Sequence, residues 1–337
     1  MAKNLKDLNF WIIVRPDVTR PIGGIKQIHR LAEAINASGS TSILVQDDEC
    51  FHPGWFESNV NTISFRNWCE LRDVKLSPEF DYVVIPETYL CEFKSIASDL
   101  PVIVFNQNVS YSFGLRGGPV ITRPSHILKQ YSSPQIKHVF CVSRYDYALL
   151  CEYFGLGIDK VSLLINGIES DICKPAKVKK RQIAFMTRKN KLDAIAVTGL
   201  IACQSDLSDW RLVEISDCKH EDVIAIMKKS LMFLSFGHPE GFGLPIAEAM
   251  ACGCCVVGYD GLGGRELFEI AHDFGMARSI PVGDWNGFLD NIKNFANSVS
   301  TDPQNFSSNL LRLSSRIRDL YSYDSMKMSV LAALGRL

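Results

Sequence analysis

The chain has 337 residues, 47% of them hydrophobic and 22% charged, with a formal net charge of -1. That length exceeds what one hydrophobic core usually organises and predicts two domains of roughly 150 residues each. The balanced charge argues against nucleic acid as a partner, no apolar run reaches the roughly 20 residues of a membrane span, and residues 1–9 lack a signal-peptide core. The expectation is a cytoplasmic protein with at most peripheral membrane association.

Residues 10–14, Phe-Trp-Ile-Ile-Val, suit a buried parallel strand. A loop with Pro16, Pro21, Gly23 and Gly24 follows, then a helix with Ile25, Ile28, Leu31, Ala32 and Ile35 on one face and Gly39 at its end. Strands are expected at 42–45, 82–85, 102–105 and 138–142, with a helix near 145–154 and a further strand ending at Ile165. Residues 47–71 read as irregular. Short apolar strands alternating with helices predict an α/β domain with a parallel sheet.

Residues 166–181 carry Gly167, Pro175 and the basic run from Lys177 to Arg181 without apolar periodicity. This reads as a solvated linker, with a basic lip beside a phosphate site as the alternative. A second α/β series starts at Ile183, with strands at 212–215, 231–235, 254–258 and 277–280 and helices from His220 and Leu244. The tail from Pro303 reads as two helices. The organisation expected is an N-terminal domain over 1–165, a linker over 166–181, a second domain over 182–315 and a returning helix over 316–337.

The cysteines number eleven and are scattered through apolar stretches, which argues against a disulfide framework. Cys252 and Cys255 form one C-x-x-C, read as structural because no second pair stands at metal-ligand spacing. No Asp-x-Asp motif is present, so neither a metal nor another cofactor is expected. Gly23-Gly24 is not a G-x-G-x-x-G turn, which argues against a nicotinamide dinucleotide.

The chemistry concentrates after the strand at 231–235, in Phe236-Gly-His-Pro-Glu-Gly-Phe-Gly-Leu-Pro-Ile-Ala-Glu248. Gly241 and Gly243 permit close backbone approach to a ligand. Pro245 is placed as a first-turn helix proline, and the free N–H groups of that turn suit phosphate. Glu240 and Glu248 are acceptors suited to sugar hydroxyls. A strand-to-helix connection with two incidental surface glutamates would use the same residues. His238 reads as a loop hydrogen-bonder rather than a catalyst.

Glu240-x7-Glu248, within Pro-Glu-Gly-Phe-Gly-Leu-Pro-Ile-Ala-Glu-Ala-Met-Ala-Cys-Gly, resembles the signature of retaining GT-B glycosyltransferases related to sucrose, trehalose-phosphate and mannosyl transferases. Gly261-Leu-Gly-Gly-Arg-Glu266 is similar to that family's Gly-Gly-x-x-Glu turn. The resemblance implies two Rossmann-like domains facing a cleft, with C-terminal helices packing back toward the first domain. It implies that Glu248 holds ribose hydroxyls, and that Glu240 with the backbone of Phe242, Gly243 and Leu244 holds the transferred sugar and β-phosphate. Arg188 and a lysine, Lys189 or Lys191, would neutralise the leaving diphosphate, and Gly23 and Gly24 would approach it from the other domain. Where many relatives carry a histidine, this chain has Asn106-Gln107-Asn108, which places Gln107 near the reacting centre or leaves an Asn-rich turn. The activity implied is hexose transfer from a nucleotide diphosphate sugar to a glycan, lipid or small-molecule acceptor with retention of configuration. A nucleotide-sugar epimerase, a sugar-phosphate synthase and a non-catalytic sugar-nucleotide binder are the competing readings.

Overall fold

The structure is a computed structural model, and residues 4–114 and 123–337 are described. The chain divides into two compact units, residues 1–167 with 324–337, and residues 168–323.

In the first unit the elements run β1 (Asn9–Ile13), α1 (Gly23–Ala37), β2 (Thr41–Gln46), β3 (Thr62–Ser64), α2 (Phe65–Lys75), β4 (Asp81–Pro86), α3 (Phe93–Ala97), β5 (Val102–Asn106), α4 (Pro124–Tyr131), β6 (Ile136–Cys141), α5 (Arg144–Ala148) and β7 (Val161–Leu163). The sheet is parallel throughout, in the order β3-β2-β1-β4-β5-β6-β7. Parallel neighbours need crossovers, which the helices supply. Val83, Val84 and Ile85 in β4 and Val102, Ile103 and Val104 in β5 are fully buried, as the unbroken apolar runs of a sheet covered on both faces require.

Residues 47–71 are not wholly irregular: they contain β3 and the start of α2. Ser64 caps that helix, its Oγ accepting from Asn67 N at 3.2 Å, and Trp68 is its one buried residue. A helix that buries a single side chain leaves no apolar periodicity to read.

The second unit runs β8 (Lys180–Phe185), α6 (Lys191–Ala202), β9 (Arg211–Glu214), α7 (His220–Lys229), β10 (Ser230–Ser235), α8 (Leu244–Ala251), β11 (Cys255–Gly258), α9 (Arg265–His272), β12 (Ala277–Ser279), α10 (Trp285–Thr301) and α11 (Pro303–Leu320). Its sheet, also parallel, has the order β12-β11-β10-β8-β9. The strand order reverses between β8 and β10, so the carboxyl ends of those two strands form the switch point where ligands of open α/β sheets bind. The second series begins at Lys180, inside the basic run grouped above with the linker.

The last helix, α12 (Tyr323–Leu334), carries the chain back: residues from Asp324 onward belong to the first unit. There Ser329 Oγ accepts from Ile165 N at 3.0 Å. Residues 316–323 stay in the second unit, where Ile317 is fully buried. No helix among the described residues is long and apolar enough to cross a membrane.

Candidate functional site

The site of the second unit is built from the two loops that leave β8 and β10. After β8 come Met186, Thr187, Arg188, Lys189 and Asn190, the last in the left-handed region at φ 49°. Its side chain crosses to the other loop, Nδ2 donating to Phe236 O at 2.7 Å and His238 O at 3.2 Å. Lys189 makes the second crossing. Its Nζ lies 3.0 Å from Glu240 Oε1 and donates to Pro239 O at 2.7 Å. Arg188, Lys189, Glu240, Gly243 and Pro245 line one small pocket over the end of β10. Lys191, by contrast, is exposed at the start of α6 and is not part of that lining. Of the two competing lysines, Lys189 is therefore the one brought to the signature glutamate.

The loop after β10 can hold its shape only because a second glycine-rich segment lies against it. Glu240 N donates to Gly261 O at 2.8 Å and Gly263 N to Glu240 O at 3.1 Å. A Cβ on Gly261 would stand 2.6 Å from Glu240 Cβ, and one on Gly263 only 2.0 Å from Gly241 O. No side chain fits at such distances, so the two glycine turns of the signature act as one backbone unit.

Gly243 precedes α8 with φ +87° and no side-chain cap. In the first turn of α8 Pro245 has no N–H, and Ile246 N and Ala247 N donate to Gly243 O at 2.9 and 3.2 Å, so what this turn presents to the pocket that Arg188 and Lys189 share is the positive end of the helix dipole. Phe242 is buried 5.0 Å from the Tyr321 ring, so its side chain is core and only its backbone faces the loop. Tyr321 OH also donates to Glu266 Oε1 at 2.9 Å, which fixes the glutamate of the second turn.

Glu248 lies on α8 and is mostly buried. Its Oε1 meets His220 Nε2 at 2.9 Å, while His220 Nδ1 meets Glu169 Oε2 at 3.0 Å. The sequence marks His220 only as a helix start and gives no sign of Glu169. Their partners lie far away in the chain, so no local pattern could have found them.

In the first unit the switch point lies between β1 and β4. Gly23 and Gly24 open α1, and a Cβ on Gly24 would come 3.1 Å from Gln107 Oε1. The turn after β5 is held by two buried carboxyls. Glu87 accepts from Gln107 N at 2.9 Å and from Asn108 N at 3.1 Å. Asp146 Oδ2 accepts from Asn106 Nδ2 and Val109 N, both at 3.1 Å. Tyr131 OH donates to Asn106 Oδ1 at 2.8 Å. Burial pushes Glu87 up to about 8 and Asp146 up to about 7. Asn106 and Asn108 are thus engaged in the turn itself, and Gln107 alone of the three is partly exposed.

The larger cavity of the second unit, about 230 Å³, lies between α10 and α11 and contains none of these residues. Among the described residues no group of three His, Cys, Asp or Glu side chains is placed to hold a metal ion. The buried Cys252, Cys254 and Cys255 are free thiols.

Residues 215–309 match the family model of glycosyl transferases group 1. An alpha-1,6-glucosyltransferase from Actinobacillus pleuropneumoniae serotype 7 (strain AP76) is 28% identical over 214 residues, which cover 61% of this chain and 59% of that protein. Among solved structures, a glycosyltransferase from Rickettsia africae ESF-5 superposes with a TM-score of 0.70 at 14% identity, covering 97% of each chain. Anabaena HepE, solved in complex with UDP-glucose, gives a TM-score of 0.69 at 13% identity over 98% of this chain and 100% of that one. Sucrose-phosphate synthase from Thermosynechococcus elongatus gives 0.68 at 13% identity over 95% and 96%. The two parallel-sheet units are those of the GT-B fold, and the chain is a glycosyltransferase homologue that carries a glycosyl transferases group 1 domain across the signature loops, α8 and α10.

Proposed function

We propose that the chain transfers a hexose from a nucleotide diphosphate sugar to an acceptor hydroxyl, with retention of configuration. The observation that carries this reading is the meeting of Arg188, Lys189, Glu240 and the N-terminal end of α8 at the switch point of the second sheet. A diphosphate beside a bare glutamate would be repelled. Here Lys189 neutralises Glu240, so the carboxylate can address sugar hydroxyls next to a phosphate. Arg188, Lys189 and the positive end of the α8 dipole stabilise the charge that develops on the leaving diphosphate, the largest electrostatic contribution open to such a site. The bond from the anomeric carbon to the phosphate oxygen breaks while the bond to the acceptor oxygen forms on the same face. The acceptor proton passes to the departing phosphate oxygen. Glu248 holds the ribose, and Gln107 with Gly23 and Gly24 serves the sugar and diphosphate from the first unit.

The glucosyltransferase relative and the UDP-glucose complex make UDP-glucose the first donor to try. In a thermal-shift series with UDP-, GDP-, ADP- and dTDP-sugars, one donor is expected to raise the melting temperature, by about 2.7 kcal/mol of stabilisation at 100 times its Kd. NMR of the product is expected to show the donor's anomeric configuration preserved. Glu248→Ala should weaken donor binding roughly 10- to 100-fold, the value of hydrogen bonds to a charged group. Unchanged donor affinity in that variant would remove the ribose assignment. Conversion of donor without any acceptor would point to an epimerase instead.

A further inference from the structure

We propose that His220, as an imidazolium donating from both ring nitrogens, is a positioning residue that sets Glu248 for the donor; this rests on the assignment of Glu248 above. The imidazole stands between two carboxyls, Nδ1 3.0 Å from Glu169 Oε2 and Nε2 2.9 Å from Glu248 Oε1. An ionised carboxylate only accepts, and a neutral imidazole has one N–H to donate. With a single ring proton, one of these contacts would set a nitrogen lone pair against an oxygen lone pair. A second proton on the ring satisfies both. The ring side chain is only 15% exposed, and those of Glu169 and Glu248 20% and 10%, so water does little to offset a mismatched contact.

The groups facing the ring come from four elements. Residues 168–179 supply Glu169 and Cys173, and α8 with the residue that follows it supplies Glu248 and Cys252, whose thiol is hydrogen-bonded to that of Cys173. The start of α12 supplies Tyr323, whose hydroxyl donates to Glu169 Oε1 at 3.2 Å. On its own helix, His220 is the first residue of α7, with Lys219 before it and Glu221 and Asp222 after it. The positive end of the helix dipole opposes a cation there by a fraction of a unit charge. Two carboxylates in direct contact outweigh it.

The functional consequence concerns one oxygen. Glu248 Oε1 is taken by the ring, which fixes the carboxylate plane and leaves Oε2 for the donor. Loss of the second ring proton at alkaline pH releases Glu248 and lowers donor affinity, while the reacting centre at Glu240 and Lys189 keeps its own ion pair. His220 therefore acts on donor binding through Glu248 and touches no reacting atom.

Two measurements on the full chain test this. Nitrogen-15 NMR of the histidine rings, assigned with His220→Gln, should show both ring nitrogens of His220 at the imidazolium position near neutral pH. A neutral tautomer would overturn the proposal, and this reading needs no donor. Calorimetric titration with UDP, GDP, ADP and dTDP should show affinity for the bound nucleotide falling as the pH is raised to the alkaline side. His220→Gln should lower that affinity about 10-fold with little change in kcat, and should flatten the pH profile. If Glu248→Ala weakens binding while His220→Gln leaves affinity and profile unchanged, the bridge is wrong and the donor reading stands. If Glu248→Ala changes nothing, the donor reading itself fails. Should His220→Gln unfold, His220→Asn or through-bond correlation to the His220 backbone assigns the ring, and the wild-type spectrum decides.

Discussion

The two units solve the same problem, a turn at the carboxyl end of a parallel strand, in opposite ways. After β10 the turn is shaped by backbone against backbone: Glu240 pairs with Gly261 and Gly263, and the two segments approach more closely than any Cβ allows. After β5 the turn is shaped by side chains, with Glu87 and Asp146 reaching from β4's end and α5 to collect the N–H groups of residues 106–109. A turn made of backbone must be written in glycine and is visible in sequence. A turn made of buried acceptors depends on residues 20 and 37 positions away and is not. The difference also separates their vulnerabilities: the first turn is sensitive to volume, the second to protons.

The largest effect should come from adding volume to the backbone-built turn. Gly263→Ala places a methyl 2.0 Å from Gly241 O, a backbone atom that cannot swing aside. Overpacking of a rigid site costs about 1–3 kcal/mol and occasionally more, and the upper end is expected here. Urea titration should show the loss, and donor binding should fall with it because Glu240 moves. If Gly263→Ala retained wild-type stability, the two glycine turns would not be one unit.

The proton-sensitive turn should show itself as pH-dependent stability. Burial raises Glu87 to about 8 and Asp146 to about 7, against ordinary values of about 4.3 and 3.9. A carboxyl raised in the folded state binds more protons folded than unfolded. Its stabilisation is complete below its unfolded value and is lost as the pH climbs through its folded value. His29 and His138 work on the other side. Burial lowers each to about 4, so their stabilisation is present above about 6.5 and is lost as the pH falls toward 4. From about pH 6.5 to 9 His29 and His138 shed their last unfolded-state protons and then contribute nothing, while Glu87 and Asp146 lose theirs in the folded state, and the Glu87 share is isolated by its variant. Over that window Glu87 should cost about 2 kcal/mol, which lowers the apparent melting temperature by roughly 4–8 °C. Glu87→Gln should flatten this slope. Equal melting temperatures at the two ends in the wild type would contradict it.

The legible and illegible parts divide along the same line. Strand runs such as Val102–Phe105 and the Pro245 helix start were readable because burial and capping are local in sequence. The segment after β2 was not, since α2 buries only Trp68. At the site, Glu240 and Glu248 were visible within one contiguous pattern, and Arg188 only through the family resemblance. The choice between Lys189 and Lys191 was not, because it depends on Asn190 turning left-handed and sending Lys191 into the exposed first turn of α6. His220 and Glu169 escaped for a stronger reason: a polar bridge between three elements leaves no periodicity and no motif, only a distance.

The smallest effect on stability, and the sharpest on the first unit's role, should come from Gln107. Its backbone N–H is taken by Glu87, but its side chain is the partly exposed one of the three amides and lies against Gly24. Gln107→Ala keeps the backbone bond and removes only the amide, so stability should change by less than about 0.5 kcal/mol, as for a surface substitution away from structural features. If the amide meets the transferred sugar in the transition state, kcat should fall roughly 10-fold or more, the worth of about 1.4 kcal/mol, while donor affinity measured with the nucleotide alone stays unchanged. Wild-type kcat in Gln107→Ala would leave the turn after β5 a structural brace and move the search for the acceptor side to the loop between β1 and α1. Paired with the Glu87 series, this variant separates what the turn does for the fold from what its one partly exposed amide does for the reaction.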